Sequence, residues 1–141
     1  MSAKVFLDTN VLIYAAAGDG VFSRKFSIAA EILVSEDFAT STQVLGEFVR
    51  NVQSPRKMAD PLSDAEVDGW LDRLREFPVV AVDEEIVLNA VFFQRRYKVQ
   101  YFDGQIIAAA HRFGAERLLS EDLGHGQVYG SVRCENPFHQ V

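Results

Sequence analysis

The sequence predicts a three-layer α/β/α fold around a central, mainly parallel sheet, and three observations carry that prediction. Short unbroken apolar runs such as "KVFL" and "PVVAV" read as strands buried on both faces, not as the alternating pattern of a half-exposed sheet. Longer segments with apolar residues at helical spacing separate these runs, so strands and helices alternate along the chain. No repeat, low-complexity tract or Ser/Gly-rich linker interrupts the 141 residues, which predicts a single domain over 1–141.

The elements follow in order. "KVFL" is a short strand, and "TNVLIYAAA", dense in alanine and apolar residues, is a helix that ends near Gly18 to Gly20. "FSRKFSIAAEILVSE" sets Phe22, Phe26, Ala29, Ile32 and Leu33 at helical spacing, and "DFATS" has the length of a strand. "STQVLGEFVRNVQ" is a third helix with Val44, Leu45, Phe48, Val49 and Val52 on one face. After the break "SPRKMADPL", Ser63 and Glu66 form a capping box that opens "DAEVDGWLDRLREF", a helix with a thin apolar face. "PVVAV" is a buried strand by its β-branched content. "DEEIVLNAVFFQRRYKV" is a helix with acids at its start and bases near its end, matching the macrodipole. "FDGQIIAAAHRFG" is a helix closed by Gly114, "RLLS" a strand, and "SVRCEN" a last strand.

Composition excludes several classes. No apolar run reaches the ~18 residues of a membrane span, and "MSAKVFLDTN" lacks a signal-peptide layout, so a soluble cytoplasmic protein is expected. Cys134 is alone, which rules out an intrachain disulfide and suits a reducing compartment. His111, His125 and His139 show no zinc-ligand spacing. With 20 acids against 14 bases the net charge is −6, the wrong sign for a broad basic nucleic-acid surface, so any such role must be local.

The acids carry the functional question. Asp8 falls where the first strand meets the first helix, which fits a helix N-cap and equally a ligand site at a strand's carboxyl end. Asp103 heads the stripe of Ile106, Ile107 and Ala110 and should face inward, as a cap or as part of a site. Asp122 follows the strand "RLL" in a Gly-rich stretch, beside Ser120 and Glu121, and reads as a turn acid or a second strand-end acid. Glu47 lies at the edge of its helix's apolar stripe near Gln43 and Asn51, where a solvated helix face accounts for it. Carboxylates gathered at strand and helix ends need a compensating cation, and an oxygen-only set favours Mg²⁺ or Mn²⁺. Such a site suits phosphoryl chemistry and turns an acidic pocket into one that accepts polyanions. Two basic groups, Arg50, Arg56 and Lys57 after the Glu47 helix and Arg95, Arg96 and Lys98 before Asp103, are either patches that steer a polyanionic substrate or ordinary solvated helix ends, as are Arg24 and Lys25.

In "FLDTN", "QVLGEF", "YFDGQIIAAA", "LLSEDLGHGQ" and "NPF", taken in order, the chain resembles the PIN-domain ribonucleases, and among them the VapC-type toxins of prokaryotic toxin–antitoxin pairs. The resemblance implies an acidic quartet of Asp8, Glu47, Asp103 and Asp122 around Mg²⁺ or Mn²⁺, with Thr9, Asn10 and Ser120 holding those acids or the metal's waters. It also implies hydrolysis of RNA to 5′-phosphate and 3′-hydroxyl ends, an antitoxin partner and a homodimer. It reverses the solvated-face reading of Glu47. Two departures stand out. Gly104 occupies a position where alanine is more usual, which predicts a looser first turn, and Glu121 adjoins Asp122, leaving the fourth acid open between them. A phosphatase with nucleophilic Asp8 is a rival, though Asn10 stands where a second aspartate would be wanted; a catalytically silent scaffold that binds RNA or protein is another.

Overall fold

A computed structural model describes residues 4–18, 20 and 23–141. Six strands and six helices follow in the order β1 (Val5–Leu7), α1 (Thr9–Ala17), α2 (Ser23–Ser35), β2 (Phe38–Ser41), α3 (Thr42–Val52), α4 (Asp64–Leu74), β3 (Val79–Val80), α5 (Glu84–Tyr97), α6 (Tyr101–Phe113), β4 (Arg117–Leu119), β5 (Val128–Tyr129) and β6 (Val132–Glu135). The strands form one sheet ordered β3-β2-β1-β4-β6-β5, parallel except for the β5–β6 pair. The fold is the expected α/β architecture. Phe22, assigned to the second helix's apolar face, lies outside the described residues.

β1 is central, and its three side chains are fully buried, as an unbroken apolar strand between two parallel neighbours should be. The chain leaves β1 for β2 on one side and reaches β4 on the other. The carboxyl ends of β1 and β4 therefore flank the switch point where open α/β sheets bind ligands. α1 packs on α2 and α3, while α5 lies along α6. Among the described residues no helix is long and apolar enough to cross a membrane.

Three expectations change. "PVVAV" narrows to Val79–Val80 and is half-buried, because β3 is an edge strand with β2 on one side only. The hairpin β5–β6 is new: Gly130, at φ 62°, and Ser131 turn the chain between two short apolar runs. His125 and His139, 14 residues apart, stack with ring centroids 4.2 Å apart, a proximity that sequence spacing does not reveal.

Candidate functional site

The register of β1 and β4 builds the first wall of a cleft. Leu7 pairs with Leu119, so the next residues on each strand, Asp8 and Ser120, emerge side by side. The Asp8 amide donates to the Leu119 carbonyl at 3.0 Å, extending the ladder by one step. Asp8 then caps α1: Oδ1 accepts from the Thr9 amide at 2.7 Å, and Oδ2 accepts from the Ser120 hydroxyl at 2.7 Å. Cap and cleft acid are thus one residue.

Thr9 and Asn10, in the first turn of α1, reach across to two more acids. The Thr9 hydroxyl donates to Glu47 Oε1 at 2.7 Å, and Asn10 Nδ2 donates to Asp122 Oδ2 at 3.2 Å. Ser120 also accepts from the Asp122 amide at 3.1 Å. The three polar residues singled out in the sequence each donate to a different acid.

Glu47 is held from a second side by Gln43, which is backed by two residues the sequence reading passed over, Gln105 and Tyr101. Its Oε2 accepts from Gln43 Nε2 at 3.1 Å, and the same amide nitrogen donates to the Phe102 carbonyl. Gln43 Oε1 accepts from Gln105, whose own oxygen accepts from the Tyr101 hydroxyl at 2.8 Å. Gln105 is only 7% exposed, so Tyr101 decides which way its amide points, and that orientation turns the Gln43 nitrogen toward Glu47. A glutamine inside the apolar run "IIAAA" of α6 was the available signal: a buried amide needs partners.

Asp103 forms the opposite wall. It sits in the first turn of α6, whose N-cap is Gln100, so the cap reading of Asp103 does not hold. It is half-buried, and among the described residues it has no hydrogen-bond donor. Gly104 explains how it gets there. A Cβ at Gly104 would lie 2.7 Å from the Ala90 carbonyl oxygen, so glycine lets the start of α6 press directly on the backbone of α5. The expectation of a looser first turn is corrected: the Gly104 amide keeps its bond to the Gln100 carbonyl at 2.9 Å, and the residue marks a close approach.

Glu121 and Asp122 are neighbours with different partners. Glu121 accepts from the Tyr14 hydroxyl at 2.6 Å and pairs with Lys25 at 3.1 Å. Asp122 is exposed; its carboxylate accepts from one neutral donor, Asn10, and its amide donates to the Ser120 hydroxyl.

Asp8, Glu47, Asp103 and Asp122 line one cleft of 530 Å³ with Asn51, Lys57 and Phe102 on its rim. Burial, above all, raises the Asp8 carboxyl to about 7, against the lowering effect of its two hydrogen bonds, with Asp122 and Glu47 pushing the same way. Asp103 is also raised, by burial first and then by Asp122 and Glu47. Among the described residues none of the four acids has an ion pair. Nor do three His, Cys, Asp or Glu side chains stand together as a finished metal cage, since Glu47 and Asp122 are turned to neutral donors. The donor chemistry nevertheless fits a hard divalent cation: it is oxygen-only, and its negative charge is uncompensated. The lone thiol, Cys134, is buried and pushed up to about 12 by that burial, which makes it inert.

The PIN domain family model matches residues 5–130. No curated protein is significantly similar to the chain in sequence. Among solved structures, a toxin–antitoxin complex from Klebsiella pneumoniae superposes with a TM-score of 0.70 at 18% identity, covering 94% of this chain and 97% of that one. VapC20 of Mycobacterium tuberculosis, a toxin that cleaves the sarcin–ricin loop, gives 0.65 at 18% identity, covering 92% and 98%. VapBC2 of Rickettsia felis, bound to a DNA fragment from its promoter, gives 0.63 at 16% identity, covering 94% and 98%.

Proposed function

The chain belongs to the PIN domain family, and from that premise we propose that it is a Mg²⁺- or Mn²⁺-dependent endoribonuclease, the toxin of a toxin–antitoxin pair. One observation carries the reading: four acids from β1, α3, α6 and the turn after β4 share a cleft at the sheet's switch point with no ion-pairing base among the described residues. Asp8, Glu47, Asp103 and Asp122 would hold the metal. A bound divalent ion supplies an activated water and neutralises charge on the phosphodiester in flight.

The remaining roles belong to the chain. Ser120 and the Thr9 amide fix the Asp8 carboxylate, Thr9 and Gln43 fix Glu47, and Asn10 holds Asp122. Of the adjacent pair, Asp122 is assigned as the fourth acid, because Lys25 and Tyr14 already occupy Glu121. The aspartyl-phosphate rival is weakened by the two hydrogen bonds that engage both Asp8 oxygens. Retention of all four acids argues against a silent scaffold.

The toxin–antitoxin structures named above support an antitoxin partner, and the exposed Leu88 and Phe92 on α5 offer an apolar stripe to a second copy in a homodimer. A cytoplasmic single-domain protein is the setting proposed. Purified protein should cut structured RNA in Mg²⁺ or Mn²⁺, stop in excess EDTA, and lose cutting in Asp8→Asn. A folded Asp8→Asn protein that cuts like the parent refutes the assigned site.

A further inference from the structure

The cleft continues into a second depression of 340 Å³ lined by Glu47, Arg50, Asn51, Ser54, Arg56 and Lys57, and Glu47, Asn51 and Lys57 line both. In a chain of net charge −6, three exposed bases stand there without an ion pair among the described residues. Lys25, Arg75, Arg112 and Arg117 are paired with acids, whereas the remaining bases, like these three, have no ion pair among the described residues. What sets Arg50, Arg56 and Lys57 apart is that they line a depression sharing its wall with the acidic cleft.

The macrodipole does not explain this shelf. Arg50 is in the last turn of α3, but Arg56 and Lys57 lie beyond the helix end, where that field has decayed. Nor is the turn a loose loop. The Lys57 and Met58 amides donate to the Ser54 carbonyl at 3.1 and 2.9 Å, the Arg56 amide donates to the Ser54 hydroxyl at 3.3 Å, and Met58 is anchored in the core. Two cations are therefore presented on a fixed turn at the mouth of an acidic cleft.

A metal ion alone gives the bases no partner, and a small anion would be repelled by the acids. A ligand that satisfies both is a chain of phosphates, with one at the acids and its neighbours on the shelf. Phe102, 61% exposed on the cleft rim, adds an aromatic face for an unstacked base. The other basic group does not share this placement: Arg95 and Arg96 border a depression with Leu88, Val91 and Phe92, and Arg96 lies over the Tyr97 ring.

We propose that Arg50, Arg56 and Lys57 bind backbone phosphates of a single RNA strand beside the scissile bond, with a base stacked on Phe102. The proposal rests on the ribonuclease reading and names where that site's substrate lies.

The probe is a short fluorescein-labelled oligouridylate, titrated with the full chain in Ca²⁺ over a salt series, with probe integrity checked. Replacing Arg50, Arg56 and Lys57 by Gln should weaken binding at least ~10-fold and lower the slope of log affinity against log salt by about 2, at ~0.7 per lost phosphate contact. Replacing Arg95, Arg96 and Lys98 by Gln makes the same charge change and should leave affinity within about 2-fold, with the slope unchanged. Phe102→Ala should weaken binding about 10-fold without altering the slope. Equal loss in both triple variants, or no loss in the first, overturns the shelf; unaltered affinity in Phe102→Ala overturns the stacked base. A parent that binds and cuts RNA while the first triple variant binds normally refutes this inference alone. A parent that neither binds nor cuts refutes the ribonuclease reading as well.

Discussion

The two walls of the cleft place their acids by different physics. On the strand-end wall, Asp8 and Asp122 are set by hydrogen bonds to Thr9 and Asn10 in α1 and to Ser120 just after β4. On the α6 wall, Asp103 has no such donor among the described residues, and its place is set by how closely α6 packs on α5 at Gly104. Loss of an acid from either wall should cost function and leave the fold; loss of the close packing at Gly104 should cost both.

The largest effect expected is on activity. Asp8→Asn and Asp103→Asn should each reduce RNA cutting by more than ~100-fold while the circular dichroism melt stays cooperative, since each removes a proposed metal oxygen and no core contact. A loss confined to one wall would mean that the walls do not serve a single site.

Gly104→Ala should separate the walls. Its methyl group meets the Ala90 carbonyl oxygen at 2.7 Å, so α6 must shift, at a cost of roughly 1–3 kcal/mol. The melting temperature should fall by several degrees and cutting should fall with it, because Asp103 moves. Ser120→Ala should show the opposite pattern, with reduced cutting and a smaller thermal change.

Gln105→Leu tests the amide relay behind Glu47. Leucine fills the site but leaves Gln43 free to turn its oxygen toward Glu47, so cutting should drop about 10–100-fold, as for second-sphere groups around a metal. An unchanged rate would show that Thr9 alone positions Glu47.

The smallest effect is a pH signature of the metal-free protein. Burial raises the Asp8 carboxyl from its ordinary value to about 7, so the folded state holds a proton that the unfolded chain releases near pH 4. The stability this adds is complete below about pH 4 and is lost as the pH rises through about 7. In EDTA, Asp8→Asn should therefore melt increasingly above the parent between pH 5 and 8. A constant difference across that range would mean that Asp8 is not raised.

Much of this was legible in the residues. Unbroken apolar runs identify parallel strands because both faces are covered, and the ends of those strands point to Asp8 and Asp122. Edge position was not legible: "PVVAV" has the composition of a buried strand, and only the sheet order makes it an edge. Glu47 looked like a solvated helix acid because its partner, Thr9, is 38 residues away. Gly104 was misread for the same reason, since Ala90 sits on another helix. Local patterns report which face of an element is apolar; they do not report which distant backbone or hydroxyl meets it.

The central claim is that the acids of both walls serve one metal-binding site. Calorimetric titration of Mn²⁺ into the parent, Asp8→Asn and Asp103→Asn proteins tests it directly. Saturable binding by the parent that disappears in each single variant is the predicted result. Binding by Asp103→Asn as tight as the parent's, or no binding by the folded parent, would contradict it.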